Sequence, residues 1–497
     1  MSLCLFLLAS AFALCVHSLD VSVVDVSDFK LLRSCGASSL YELQLQTKNS
    51  YDVAPMLVEL RGSRYDMGYA YGNLLSKEIE AAYHSLMKWI LGDHWYDEVL
   101  ELLFADALDW QWDDYLSIEL PIAYKEELIG VRDGAAAAGC PSCGNMVTRA
   151  IALSNMPGDT QDVLLLLMRE FNKTDLQLGQ WPHRQPTGKA TNMHCSMFGV
   201  WGSRTAGQRL FSARNLDWNK DTGVNKAKLV AVYKPDDGAI AHATVGFAGL
   251  YGALAGMSAE GLTVHEANLE EDEITWNGIP FVLRLRYVME WAKNLSEARE
   301  IWMQTNNTVG FNHMIGSGND AAAYANNKRS QYAALAMETM YQYTAFFHDN
   351  DAREADAVYS SKPSESVVHI GFPINEAVWR TNHGYDPVIR QHYEWSQAPS
   401  SWSMQRYMFM HEAFTSYERN RIKIDVAEAI NITAIVGDKG SHAYECMDNT
   451  DGTNVLSVTY DPNVETMYCA WESKSGSDWR PACCSTYVKL DMTKFFK

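Results

Sequence analysis

CSMFGVWGSRTAGQRLFSARNLDW, residues 195–218, contains two short runs of strand-forming residues, CSMFGVWG and RLFSARNLDW, separated by a turn rich in Gly and charge. Apolar runs of this length bounded by turn residues read as strands. The chain changes character at the first residue of this stretch, Cys195. Immediately before it, LGQWPHRQPTGKATNMH (178–194) is rich in Pro, Gly and polar residues with little periodicity, which marks a linker.

The two sides of that linker differ. Residues 19–190 read as largely helical after a short extended start. Tyr65 to Ile90 carries Leu75, Ile79, Ala82, Tyr83, Leu86 and Ile90 at helical spacing, and Leu100 to Ile118 and Ala150 to Met168 are further helical candidates. After Cys195 the pattern becomes strand-rich, in KLVAVYKP, IAHATVGFAG, LTVHEANL, FNHMIGSG, YAALAMET, YTAFFHD and SVVHIGF. One long amphipathic helix is expected over Phe281 to Gln304, with shorter ones over Met404 to Phe414 and Val426 to Ile432. The end returns to strands in VLSVTYDP, TMYCAWES and TYVKLDM. Strands in hairpin-like succession with intervening helices predict antiparallel sheets flanked by helices.

The chain has 497 residues, more than one ordinary core accommodates, so two domains or one large multilayer domain is expected. Its formal charge of −20 repels phosphate backbones and argues against nucleic-acid binding. Leu3 to Val16 form an apolar run followed by Ser18, which reads as a signal peptide over 1–18. No later stretch reaches the ~20 apolar residues of a membrane span. Export, to the cell exterior or the lysosome, agrees with four N-x-S/T sequons at Asn172, Asn294, Asn306 and Asn431. It also agrees with the ten cysteines. Cys140 and Cys143 in GCPSCG, and Cys446, Cys469, Cys483 and Cys484, read as structural disulfides in an oxidising lumen. A redox motif or zinc site at CPSC is disfavoured for want of a preceding strand. Cys35 and Cys195 are left over.

Familiar catalytic signatures are missing. HEANL at His265 lacks the second His of a zincin, GSGND at Gly316 is no dinucleotide fingerprint, and GMSAEG does not have the spacing of a nucleophile elbow. No metal or organic cofactor is implied. What remains is Cys195, followed by Arg214-Asn215-Leu216-Asp217-Trp218.

Cys195-Ser196 followed by ARNLDW resembles the N-terminal nucleophile (Ntn) hydrolases of the bile salt hydrolase, penicillin V acylase and acid ceramidase superfamily. GLTVHEANL with Asn268 is similar to the segment that places an oxyanion-hole Asn. RTNHGYD with Asn382 is similar to the segment that supplies a second Asn. SMQRY with Arg406 resembles a segment bearing an active-site Arg, and MET with Glu338 resembles a recurrent strand Glu. RGSRYDMGYAYGNLL and ELIGVRDGAAAAG resemble the propeptide part of isopenicillin-N acyltransferase. The distance from Cys195 to Arg214 is slightly longer than in bile salt hydrolases, consistent with a hairpin insertion. The resemblance implies an α+β fold, a four-layer αββα sandwich of antiparallel sheets. It also implies a mainly helical small subunit over 19–194 and a catalytic subunit over 195–497.

The implied chemistry follows from the residue types. The Cys195 thiol attacks the carbonyl of His194 where the backbone is strained, and hydrolysis of the thioester frees an N-terminal Cys195. One residue then offers both a nucleophile and an α-amine base. Arg214 favours the thiolate and Asp217 orients the amine. The Asn268 backbone N–H and the Asn382 amide face the oxyanion, and Arg406 shapes the charge around the thiol. The expected activity is hydrolysis of the amide of an N-acylated small molecule or lipid, by two fragments of one chain acting as a heterodimer. The aromatic and Met-rich surface of the smaller fragment is a candidate lining for the acyl pocket. Acyl transfer to an amine, phospholipase-type ester hydrolysis and a non-catalytic secreted glycoprotein are the competing readings.

Overall fold

The computed structural model describes residues 22–46, 51–91, 97–155, 194–218, 222–269, 275–327, 330–359, 367–392, 401–436, 454–474 and 478–497. The signal segment, Asn172 and all of the 178–194 linker except His194 lie outside them.

Three strands open the described chain, β1 (Val23–Cys35), β2 (Ser38–Leu45) and β3 (Met56–Gly62). Four helices follow: α1 (Arg64–Leu91), α2 (Asp97–Gln111), α3 (Ile122–Ala137) and α4 (Cys143–Ser154). The predicted helix over Leu100 to Ile118 is α2 continued by a π-turn at Trp112–Leu116. The Ala150 to Met168 candidate begins inside α4, and its part beyond 155 is outside the described residues. Cys140 and Cys143 form a disulfide.

From His194 onward come β4 (His194–Val200), β5 (Phe211–Asp217), β6 (Lys228–Pro235), β7 (His242–Phe247), β8 (Ala255–Ser258) and β9 (Leu262–Asn268). Helices α5 (Phe281–Trp291) and α6 (Leu295–Met303) precede β10 (Phe311–Ser317), β11 (Ala334–Met340) and β12 (Tyr343–Phe347). A two-stranded ribbon, β13 (Val358–Tyr359) and β14 (Val368–His369), stands apart before β15 (Ala377–Arg380). Helices α7 (Ser401–Arg419) and α8 (Val426–Val436) lead to β16 (Asn454–Asp461), β17 (Thr466–Trp471) and β18 (Tyr487–Asp491).

These strands form two mostly antiparallel sheets joined through β1. One runs β12-β11-β10-β9-β8-β7-β6-β3-β2-β1 and the other β1-β18-β17-β16-β5-β4-β15. The sheets face each other where β4 and β5 approach β9 and β10. Helices α5 and α6 cover the outer side of the first sheet near β8–β10, and α7 and α8 cover the second near β4, β5 and β15. This is the four-layer αββα arrangement. One contiguous buried cluster runs through the layers, from Leu40 and Leu57 to Val488. No described helix is long and apolar enough to cross a membrane.

One expectation is sharpened and one corrected. The described part of the segment before Cys195 is mainly helical, as expected, but its extended start is longer than the sequence suggests and runs as three strands up to Gly62. Its three strands sit inside the sheet system, β3 parallel to β6 and β1 parallel to β18. MLVELRG has no strict alternation because β3 is buried on both faces over Met56–Leu60, and such strands lose the period-two signal. Phe281 to Gln304 is two helices rather than one. Asn294 caps α6, its Oδ1 accepting from Glu297 N at 3.0 Å while Glu297 reaches back to the Lys293 N–H. The sequence Asn-x-x-Glu carries that capping signal.

Candidate active site

Cys195 sits on β4, whose register with β5 pairs Cys195 with Leu216 and Met197 with Arg214. Directly opposed residues of an antiparallel pair share a face, so these four side chains point together between the sheets. The residues between them, Ser196 and Asn215, point to the other face, toward α7 and α8, and Asp217, one residue beyond Leu216, alternates to that face too. Ser196 Oγ accepts from Arg406 there, and Asn215 donates to the Thr433 carbonyl. The longer Cys195–Arg214 spacing is the turn between the two strands, residues 201–210.

The thiol is 1% exposed. Arg214 Nη2 lies 3.2 Å from its sulfur. The same nitrogen donates to Glu266 Oε1 at 2.7 Å, and Nη1 donates to the Leu254 carbonyl at 3.1 Å. Burial pushes the Cys195 thiol up to about 12, with the carboxylate of Glu266 adding to the rise against the pull of Arg214. In the uncleaved chain the net effect is a protonated thiol. The expectation that Arg214 favours the thiolate captures only one of these opposing influences.

The backbone of Cys195 is held as firmly as its side chain. Its N–H donates to Asn382 Oδ1 at 2.8 Å, and its carbonyl accepts from Arg406. Arg406 Nη2 also donates to Asn382 Oδ1 at 2.8 Å. Asn382 Nδ2 donates to the Asn268 carbonyl at 2.8 Å. The Leu269 N–H turns to Gly310 on the β10 side. Backbone groups of successive strand residues alternate in direction, so Asn268 turns its N–H and C=O the other way, toward Asn382. Asp217 stands opposite His194 in the register and accepts from Asn454 at 2.7 Å. The six residues singled out by sequence therefore converge around one short piece of β4.

The loop bearing Asn382 is clamped from three elements. Asn312 on β10 donates to the carbonyls of Thr381 and His383 at 2.7 and 3.0 Å. Ser403 on α7 accepts from the Asn382 N–H at 2.8 Å. Glu338 on β11 pairs with Arg380 at 3.0 Å and accepts the Tyr385 and Asp386 N–H groups at 2.8 and 2.9 Å. That gives Glu338 a positioning role. Burial raises its carboxyl to about 7 despite Arg380.

His194 and Cys195 lie in paired strand opposite Asp217 and Leu216, with no left-handed backbone at either residue. One sequence expectation fails here. Asn431 is 7% exposed inside α8, where a glycan has no room. Asn306 is exposed. Asn294 is half-buried and occupied as a helix cap.

Sequence reasoning missed Glu266. Its signal was present, because Glu266 lies two residues before Asn268 on β9 and so shares its face. Both line a cavity of about 90 Å³ that opens beside Cys195. The remaining walls are mostly apolar, among them Leu216, Trp218, Leu250, Leu254, Phe281 and Phe311, with Leu86, Ala150 and Leu153 from the segment before Cys195; Tyr251 and Ser154 add two hydroxyl-bearing side chains. Among the described residues, that segment's share of the wall is Leu86, Ala150, Leu153 and Ser154, with no aromatic or Met residue among them. Among the described residues no cluster of His, Cys, Asp and Glu is placed to hold a metal. Cys195 is in no disulfide.

The family described as acyl-coenzyme A:6-aminopenicillanic acid acyl-transferase matches residues 204–475, which include Arg214, Asp217, Glu266, Asn268, Asn382 and Arg406. Over 308 residues the chain is 25% identical to Protein dcd1A of Dictyostelium discoideum, covering 59% of this chain and 60% of that protein. It is 24% identical to an uncharacterized protein of Archaeoglobus fulgidus, over 60% of this chain and 47% of the other. The match thus spans less than two thirds of either relative. Among solved structures the chain is similar to a Caenorhabditis elegans N-acylethanolamine-hydrolyzing acid amidase ortholog, at 11% identity and a TM-score of 0.36, over 54% of this chain and 93% of that one.

Proposed function

The chain belongs to the acyl-coenzyme A:6-aminopenicillanic acid acyl-transferase family, and from that premise we propose that it is a self-cleaving cysteine amidohydrolase acting on an N-acylated small molecule or lipid. The observation that carries this reading is the Cys195 thiol, 3.2 Å from Arg214, in the wall of a mostly apolar cavity, with the N–H of the same residue gripped by Asn382.

The steps balance without a cofactor. The Cys195 sulfur adds to the His194 carbonyl, the C–N bond breaks, and the acyl group passes to sulfur while the nitrogen takes up the proton. Water hydrolyses that thioester, leaving a carboxylate on His194 and a free amine and thiol on Cys195. Asn382 and Arg406, which hold the Cys195 N–H and carbonyl, position the backbone for the first step. In turnover the α-amine takes the thiol proton and the sulfur attacks the substrate carbonyl. The Asn268 N–H and Asn382 Nδ2 donate to the oxyanion, and the departing amine leaves with the proton. Water then cleaves the acyl-enzyme. Asp217, opposite the residue that departs, orients the new amine.

The cavity walls favour a hydrocarbon acyl group, since burying methylenes stabilises by about 0.8 kcal/mol each. Acyl transfer to an amine in place of water is the second reading, favoured by the family's own description. The fragments 19–194 and 195–497 form the working heterodimer, in a secreted or lysosomal setting that the leader-like 1–18 segment supports.

The test is N-terminal sequencing and mass spectrometry of the purified protein, with turnover of a panel of N-acyl amides. A fragment beginning Cys195-Ser196-Met197-Phe198 is expected, and Cys195→Ala is expected to stay one chain with no activity. An active Cys195→Ala, or an active wild type never cut at this bond, sinks the proposal.

A further inference from the structure

The cavity beside Cys195 is walled on one side by the loop between β7 and β8, residues 248–254. Leu250, Tyr251 and Leu254 face it from there. The same three residues line a second void of about 10 Å³, whose other walls include Tyr71, Leu229, Ala231 and Tyr233. These three side chains are walls of both spaces, and Tyr251 is the bulkiest of them.

That layer is anchored on both sides of the His194–Cys195 bond. The Tyr251 hydroxyl donates to Glu127 on α3 and lies 3.3 Å from Arg286 Nη1 on α5. Arg286 forks onto both Glu127 oxygens at 2.7 and 2.8 Å, and both residues are fully buried. Tyr71 on α1 meets the Tyr251 ring edge-on at 4.9 Å and accepts the Gly249 N–H at 3.1 Å. Gly252, at φ +113°, lies so close to α5 that a Cβ there would stand 2.8 Å from Val282 Cβ. A ring with its hydroxyl fixed by two buried charged partners cannot swing aside to admit a longer ligand without giving up both contacts and leaving that hydroxyl unpaired in the interior. The loop also ends at the site, since the Leu254 carbonyl accepts from Arg214.

We propose that Tyr251, anchored by Glu127 and Arg286, is the specificity-determining residue that sets the length of acyl chain the cavity admits. The inference rests on the cavity being the acyl site, as put forward above. It assigns to the segment before Cys195 a part in substrate selection, through Glu127 and Tyr71.

The test uses the full chain carrying Cys195→Ala, with saturated fatty acids of stepwise increasing length as probes that displace a fluorescent fatty acid. Affinity is expected to rise with length and then fall at a cut-off. Adding Tyr251→Ala joins the two voids and should move that cut-off to longer acids, with a gain of roughly tenfold or more for the first length previously refused. An unmoved cut-off, or no fatty-acid binding by the parent at any length, overturns the proposal. Should Tyr251→Ala not fold, Tyr251→Phe decides, because it keeps the ring and removes only the link to Glu127. A blurred cut-off supports the anchor and an equally sharp one overturns it. Turnover of N-acyl amides by chains with Cys195 intact reports on the activity separately. A cut-off that moves without any turnover sinks the amidase reading alone, and turnover with an unmoved cut-off sinks the role of Tyr251 alone.

Discussion

Cys195 is held between two charges of opposite sign. Arg214 lowers its proton affinity and Glu266 raises it, and because Glu266 occupies Arg214 at 2.7 Å, burial and the carboxylate prevail. Replacing Glu266 by Gln removes the negative neighbour and frees the guanidinium for the sulfur. The alkylation rate of Cys195 by iodoacetamide, followed on the unprocessed chain by intact mass, should still climb above pH 9 in the wild type. In Glu266→Gln the midpoint should fall by about one unit or more. An unchanged profile would show that Glu266 does not govern the thiol. At this scale Cys195, Arg214, Asp217, Asn268, Asn382 and Arg406 were legible, because each lies in a short segment of distinctive residue types. Glu266 was not legible, since nothing local in HEANL says which cation its carboxylate meets. Its pairing with Arg214, 52 residues away in sequence, exists only once β5 and β9 meet.

Helices α1 and α3 cross at a glycine contact that fixes where Glu127 stands. Gly68 and Gly72 on one helix and Gly130 and Gly134 on the other bring backbone against backbone. A Cβ at Gly72 would lie 2.0 Å from the Val131 carbonyl, and one at Gly68 would lie 1.8 Å from that of Glu127. Gly72→Ala forces the helices apart and should destabilise the protein by about 1–3 kcal/mol, as overpacking does. Urea unfolding followed by circular dichroism measures it, and a midpoint equal to the wild type would refute the close crossing. The glycine spacing is visible in YDMGYAYG and LIGVRDG, yet nothing in it says which helix is the partner. The strands β1–β3 were harder still. Their fully buried or irregular faces carry no alternation, and their partners β6 and β18 lie at distant points of the chain.

Because β1–β3 complete both sheets, cutting at Cys195 does not free a domain. The processed protein should show two bands on a denaturing gel but elute as one species from a sizing column. Separation of the fragments without denaturant would contradict the interleaved sheets. Buried ionisable groups also set the response of the whole molecule to pH. His242 and His383 are held down to about 3 by burial. Their contribution is present above an unfolded value near 6.5 and is lost as pH falls toward 3. Glu338 and Asp461 are held up to about 7 and about 6, again by burial. Their contribution is present at acid pH and is lost as pH rises through those values. The two sets oppose each other between about pH 4.5 and 6.5. Calorimetry should give a melting temperature nearly flat across that window and falling on further acidification. A steep rise from pH 4.5 to 6.5 would mean the buried carboxyls are not protonated in the folded state.

The sequence by itself determined the chemistry on offer, since residue types and local spacing are one-dimensional properties. It revealed a cysteine opening a strand, an Arg-Asn-Leu-Asp segment behind it and two asparagines in separate segments. It also determined the alternation of strands and helices after residue 195, because a strand with one dry face declares its period. Which carboxylate competes for Arg214, which strands close the gap between the sheets and which tyrosine walls the cavity emerge only on folding. Those are contacts between residues far apart along the chain, chosen by how buried faces and buried charges find partners, and no local pattern encodes them.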